Sequence, residues 1–369
     1  MRNVLIVGAG VAGPTLAYWL ARAGFRPTVV ERARGQRSSG NPVDVRGPAL
    51  PVAEQMGVVP ALREAATTVT AMRLIDSRGR RRQRLPMPAG RSPAGTAEIE
   101  VPRADLASIL YAAARDHAEF VFDDTITGFT QDPAGVDVTF ERSAPRRFDL
   151  VVGADGLHSA VRRLAFGPEA TFVRHLGVYV ATTPLGEPVD HPGEALMYNT
   201  PGRLISVHPS RDHALLAFIF RGPAIPGFDH RDVALHKRVL LHAYANDRNW
   251  LVPTYLERVR AAEDLYFDSV SKVVLPSWSN GRVTLLGDAA ASVSLFGDGS
   301  SMAMAGALTL ANALKNSGPA TALKRYETEH RRRTDPKGRR ARLAAAMIVP
   351  STRPGIAVRN TAARLAYRR

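Results

Sequence analysis

Three glycines at positions 8, 10 and 13, spaced G-x-G-x-x-G, constrain this chain more than any other feature. They follow Asn3-Val4-Leu5-Ile6-Val7, which reads as a buried parallel strand, and precede Pro14 and a helical stretch that Gly24 ends. In such a unit Gly8 permits the tight turn, Gly10 leaves room for a phosphate against the backbone, and Gly13 lets the helix pack closely on the strand. Val11 and Ala12 complete the cradle, where free N–H groups and the helix dipole hold an anion. Pro14 costs nothing in the first helical turn. A second strand, Pro27-Thr28-Val29-Val30, ends at Glu31, 23 residues after Gly8, where a carboxylate can take both hydroxyls of a ribose. Strand, glycines, helix, strand and terminal acid together predict a dinucleotide site. Glu31 would repel a ribose 2′-phosphate, so NAD and FAD remain as occupants and NADP does not.

The same stretch imitates a secretory signal, with Arg2, an apolar run and Ala21-Arg22-Ala23. A signal has no use for three spaced glycines, and no other run is long and apolar enough to span a membrane. A cytoplasmic protein without a membrane span is expected. At 369 residues and 45% hydrophobic content, two lobes are expected. The absence of cysteine excludes disulfides, thiolate metal sites and cysteine nucleophiles. The ten histidines form no metal-ligand or triad spacing, so no metal is expected. The net charge of +15 suggests nucleic acid, but only five basic residues are lysine (Lys237, Lys272, Lys315, Lys324, Lys337). The basic runs Arg78–Arg84, at a hairpin tip, and Arg331–Arg342, beginning at a helix end, lack interleaved aromatics and read as solvated surface. No nucleic-acid partner is expected.

Two later motifs narrow the cofactor. Asp149-Leu150-Val151-Val152-Gly153-Ala154-Asp155-Gly156, followed by Ser159-Ala160-Val161-Arg162-Arg163, reads as strand, turn and helix start. Asp155 there can be a plain helix cap or a cofactor contact. Gly281-Arg282-Val283-Thr284-Leu285-Leu286-Gly287-Asp288-Ala289-Ala290 delivers Asp288 from a strand, before Gly297-Asp298-Gly299 and the small-residue helix Ser300–Leu314. With Glu31-Arg32, these motifs resemble the signatures of the para-hydroxybenzoate hydroxylase-like (group A) FAD-dependent monooxygenases, over roughly residues 1–330. The segments Gly40–Leu50 and Val101–Leu106 look most like the bacterial branch of tetracycline-inactivating and aromatic polyketide hydroxylases.

The resemblance implies an α/β protein: a Rossmann-like FAD/NAD(P)-binding fold interleaved with a second lobe on an antiparallel β-sheet, plus a C-terminal helix. It implies that Gly8, Gly10 and Gly13 cradle the FAD pyrophosphate, Glu31 holds the adenosine ribose and Arg32 lies along the adenine end. Asp44, Arg46 and Arg103 would lie toward the flavin, Asp155 near the pyrophosphate, and Asp288, beside Gly287, at a ribityl or linking hydroxyl. Gly297, Gly299 and Ser300 would present N–H groups to the ring. Arg103 also stands out physically, because an arginine in the first turn of a helix opposes the dipole unless an anion is near. The chain departs from the family in lacking prolines over residues 291–296. Asp298 would then oppose negative charge on the flavin unless it points outward as a helix cap.

No second glycine turn exists, so NADPH or NADH would act as a transient reductant. Expected boundaries are 1–69, 100–169 and 270–330 for the FAD-binding domain, 70–99 and 170–269 for the substrate domain, and 331–369 for a bridging helix. Tyr179, Met197, Tyr198, Phe218 and Phe220, on alternating strands of the second lobe, are candidates to face substrate, although half of any such strand is core. The implied reaction is hydroxylation of an aromatic or polyketide-like molecule with O2 through a flavin C4a-hydroperoxide, in a monomer, with no catalytic residue assigned. A flavin-dependent reductase or dehydrogenase without oxygen transfer, and a non-enzymatic dinucleotide-fold binding protein, are the competing readings.

Overall fold

The computed structural model describes residues 3–35, 41–86, 97–187, 189–210, 214–292 and 298–366. The strand predicted after residue 2 forms as Asn3–Val7 and lies inside a six-stranded sheet. The order across that sheet is Ser279–Asn280, Val283–Leu285, Leu150–Gly153, Asn3–Val7, Arg26–Glu31 and Glu119–Phe122. All pairings are parallel except the short Ser279–Asn280 edge. Near-continuous apolar sequence is what a strand covered on both faces requires, and Val4 to Val7 are all buried. The sheet brings three distant motifs to the same edge, because Val7, Gly153 and Leu285 are register neighbours. A three-stranded meander over Ile126–Gln131, Val136–Phe140 and Arg146–Phe148 stands beside it. Its first turn is set by Asp132, whose carboxylate accepts from the N–H groups of Ala134 and Gly135.

The second lobe is a seven-stranded sheet in the order Tyr266–Val273, Val173–Pro184, Leu215–Arg221, Arg203–His208, Glu194–Thr200, Ala71–Ile75 and Arg81–Pro86. It is antiparallel except where Glu194–Thr200 meets Ala71–Ile75, which run parallel. The hairpin comes from an earlier part of the chain and adds to the edge in the opposite sense. Helices Val233–Tyr244 and Val252–Ala261 cover one face, burying Leu240, Tyr244, Val252, Leu256 and Val259 against it.

One expectation about a charged segment needs correction. Arg331–Arg333 does not end a helix, since one helix runs from Pro319 to Ile348 through Pro336. Tertiary contacts carry it past that proline: Tyr326 donates to Leu285 O at 3.1 Å, and the Arg331 guanidinium lies 4.6 Å from the Trp278 ring centre. At its far end Ala345 packs with Val178 and Val270 of the second sheet, so this helix crosses both lobes. A separate helix, Arg353–Ala366, follows. The arginines of the hairpin, Arg78 to Arg84, are exposed as expected, and several are paired at the surface. Asp76 takes Arg80 and Arg82, while Glu194 takes Arg73, Arg81 and Arg84.

Candidate functional site

The glycine turn opens into a cleft lined by the ends of the six-stranded sheet, the turns that follow them, Val43 and the starts of helices Arg103–Ala114 and Asp298–Asn316. Gly8 has φ +109°, and a Cβ there would stand 2.5 Å from Ala154 O. A Cβ on Gly13 would stand 1.9 Å from Gly8 O. Those two positions are glycine because the turn packs on its own neighbours. Gly10 has nothing within 4 Å of its Cβ direction, so its missing side chain leaves open space. Helix Ala12–Arg22 starts with no side-chain cap and no acid in its first turn, leaving its N–H groups for an anion. Glu31 holds the mouth of the turn, accepting from Ala9 N at 2.8 Å and Ala33 N at 2.9 Å.

Gly8, Gly10, Val11, Ala12, Glu31, Arg32, Arg103, Asp155, Asp288, Gly299 and Ser300 all line this cleft. Gly13 lies beneath the turn. Gly287 packs against helix Ala12–Arg22, its Cβ direction 3.3 Å from the Ala12 methyl. Gly297 lies outside the described residues. Asp155 is a cap: it accepts from Ser159 Oγ and, at 3.1 Å, from Val161 N at the start of helix Ala160–Phe166. Burial pushes its pKa up. Asp288 is likewise pushed up by burial, with Arg103 pulling in the other direction. Both positions favour a ligand that offers hydroxyls over one that offers a further negative charge.

Asp298 does not point outward as expected. Its Oδ1 accepts from Arg46 Nη2 at 2.9 Å and Nε at 3.1 Å, and its Oδ2 from Lys337 Nζ at 2.7 Å. Arg46 also faces Asp44 at 3.3 Å and Glu98 at 3.6 Å. Burial, helped by Glu98 and Glu100 against Arg46, raises Asp44 to about 6. Ser301 joins the same corner, receiving Arg46 N at 3.1 Å and donating to Asp44 O at 2.7 Å. The start of helix Asp298–Asn316 is thereby tied to strand Pro42–Arg46 and to the long helix. The carboxylate that threatened flavin charge is neutralised by two cations.

Two charged residues escaped the sequence reading. His158 sits between Glu169, 3.0 Å from Nδ1, and Asp268, 3.1 Å from Nε2. Burial lowers its pKa, but the two carboxylates prevail and raise it to about 9. Its ring stacks on His230 at 4.1 Å, and burial with the adjacent His158 charge pushes His230 down to about 4. Arg162 is fully buried, donating to Leu157 O and, at 3.1 Å, to Ala289 O. It ties the mid-chain turn to the one bearing Asp288. Its signal was an arginine at a buried position of a short apolar helix.

Four of the five aromatic and methionine candidates of the second sheet lie on its helix-covered face. Tyr179, Tyr198, Phe218 and Phe220 lie in the core under the two covering helices. Tyr179 OH donates to Pro223 O at 2.8 Å there. The opposite face carries Asp268, which touches His158, and Tyr266, whose phenol is pushed up by burial and by the Asp268 and Asp288 carboxylates against Arg103. Register partners carry that face along a row: Tyr266, Thr182, Ala217, Ser206, Met197 and Leu74. Met197 is the one sequence candidate in this row. The helices needed large apolar partners, so the aromatics went to their side.

Several known proteins share this architecture. The family model described as "FAD binding domain" matches residues 1–337. An uncharacterized protein of Mycobacterium tuberculosis, Rv1260, is 41% identical over 328 residues, covering 86% of each chain. A flavin-dependent monooxygenase of Legionella longbeachae is 33% identical over 331 residues, 88% of this chain and 84% of its own. The crystal structure of the tetracycline destructase Tet(51) superposes with a TM-score of 0.86 at 29% identity, covering 100% of this chain and 96% of that one.

Proposed function

Because this chain belongs to the FAD-binding-domain family of flavin-dependent monooxygenases, we propose that it hydroxylates a polycyclic aromatic or polyketide-like small molecule, consuming NADH or NADPH and O2. The residues present fit FAD. Gly10 leaves a cradle that a Cβ would fill, the helix behind it has uncapped N–H groups, and Glu31 stands at ribose distance along the chain. The chemistry FAD supplies when bound is two-electron reduction by the nicotinamide and activation of dioxygen.

The chain's own residues bind and orient. The N–H groups at the start of helix Ala12–Arg22, beside Gly10, would hold the pyrophosphate, Glu31 the ribose hydroxyls, and Arg32 the adenine end at the cleft rim. Arg103 and Asp288 orient the ribityl end. The N–H groups of Gly299 and Ser300, at the start of helix Asp298–Asn316, would donate to the bound flavin ring and favour its anionic form. Arg46, with Asp44 and Lys337, keeps that helix start in place through Asp298. The second sheet closes over the ring and excludes water.

The substrate class rests on one observation: on the sheet face that Tyr266 shares with Asp268, the partner of His158 in the cleft, small residues, Thr182, Ala217 and Ser206, stand between Tyr266 and Met197. Such a row leaves a broad, flat floor suited to a fused-ring molecule. The likeness to a protein described as a tetracycline destructase supports the same class. We also propose a cytoplasmic monomer, with the substrate lobe built from residues 70–99 and 170–269.

The test is a purified yellow protein screened with tetracyclines and small phenols for NAD(P)H consumption and oxygen uptake. Substrate-stimulated consumption with one oxygen incorporated per turnover is the expected result. Consumption without oxygen transfer selects the reductase reading. A colourless protein that cannot be reconstituted with FAD removes both.

A further inference from the structure

Residues 336–369 contain nine Lys or Arg and no Asp or Glu. Within this stretch, residues 336–348 end the long helix Pro319–Ile348 and a second helix runs over Arg353–Ala366. Arg359 anchors the second helix, donating to Asn199 Oδ1 at 2.7 Å and Ile348 O at 3.1 Å, and so fixes which side is buried. The outward side is not polar. Leu343 is 65%, Met347 50%, Val358 70% and Leu365 61% exposed. These are four of the eight exposed large hydrophobic residues among the described part of the chain. Spacings of four (343, 347) and seven (358, 365) put each pair on one face of its helix. Arg339, Arg340 and Arg353 are exposed around them.

We propose that these two helices form a docking surface for an anionic lipid bilayer, lying in its interface without spanning it. A basic amphipathic helix with exposed aliphatic residues matches both parts of an acidic membrane surface: the headgroup charge and the acyl boundary beneath. Membrane spanning is a separate matter, since no described helix is long and apolar enough to cross. A second copy of this chain is a poor occupant, because the two surfaces would bring like charges together without a carboxylate between them. Duplex nucleic acid would use the arginines but leave the aliphatic side chains without a partner. The proposal does not depend on the reaction or on the substrate.

The experiment is flotation of the FAD-loaded full chain with vesicles of phosphatidylglycerol and phosphatidylcholine in equal parts, beside vesicles of phosphatidylcholine alone. Flotation is expected with the anionic vesicles only, and is expected to weaken at high salt. A V358E/L365E variant is expected to bind about tenfold more weakly or worse, from the lost burial of two aliphatic side chains. Its flavin spectrum and melting temperature should match the parent, because both positions face solvent. Failure of the parent to float, or equal flotation of the folded variant, overturns the proposal. So does a dimer, seen by light scattering, that the same substitutions dissolve, or duplex DNA binding that anionic vesicles do not compete away.

Discussion

Removing the Asp298 carboxylate tests whether the start of the cofactor-facing helix is held by charge. Asp298→Ala takes one partner from Lys337 and one from Arg46, at 2.7 and 2.9 Å. At an effective dielectric of about 20, each contact carries roughly 6 kcal/mol of Coulomb attraction, most of it offset by desolvation. The side chains are 21%, 24% and 36% exposed for Asp298, Arg46 and Lys337, so water can recover part of the loss. Arg46 keeps Asp44 and Glu98. The expected net cost is about 1–3 kcal/mol, a fall of roughly 1–4 °C in melting temperature for a chain of this length. FAD should bind about tenfold more weakly, because the N–H groups of Gly299 and Ser300 lose their fixed direction. Asp298→Asn, which keeps an acceptor, should show about half of each effect. Melting followed by flavin fluorescence and titration of the apoprotein with FAD measure both quantities. Unchanged melting and unchanged FAD affinity in the alanine variant would refute the reasoning and reduce the cluster to surface charge.

Other expectations separate the roles of neighbouring residues. Gly13→Ala should fail to yield folded holoprotein, because its Cβ meets Gly8 O at 1.9 Å, whereas Gly10→Ala should fold and melt normally but bind FAD at least about tenfold more weakly. The comparison needs only a melting curve and an FAD titration for each variant. His158 has a folded pKa of about 9 against an ordinary 6.5. Its stabilisation is therefore complete below pH 6.5 and lost as pH rises through about 9, a change of order 1–3 kcal/mol. Urea unfolding at both ends of that window should show the loss, and His158→Gln should flatten it. Tyr179→Phe should cost about 1–2 kcal/mol by stranding Pro223 O, with the substrate KM unchanged. Ala217→Trp, on the opposite face, should do the reverse in steady-state kinetics: fill the cleft floor and raise KM with little loss of stability.

The glycine turn, Glu31 and the two later motifs were legible because each is local: strand, turn and helix start follow one another within a few residues, and their chemistry needs no distant partner. The order of those motifs carried the fold class as well. What the order could not carry was which side of a strand meets what. Side chains alternate along the second sheet, so shifting the assignment by one residue exchanges Tyr198 for Met197 and Phe218 for Ala217. Only the packing of helices Val233–Tyr244 and Val252–Ala261 on one face decides it.

Charge behaved in the same way. As a sequence, the chain shows a net charge of +15 and arginine-rich runs that read as solvated surface. Folding sorts those cations into different jobs. Arg162 is buried as a strut between two turns, and Arg46 and Lys337 hold Asp298. Arg331 lies on Trp278. The sequence by itself determined the dinucleotide turn, because its backbone geometry requires those residues in that order. The tertiary structure decided which charges are paired and which faces are open. Both depend on partners far along the chain, from 39 residues for Lys337 and Asp298 to 252 for Arg46 and Asp298, which no local pattern encodes.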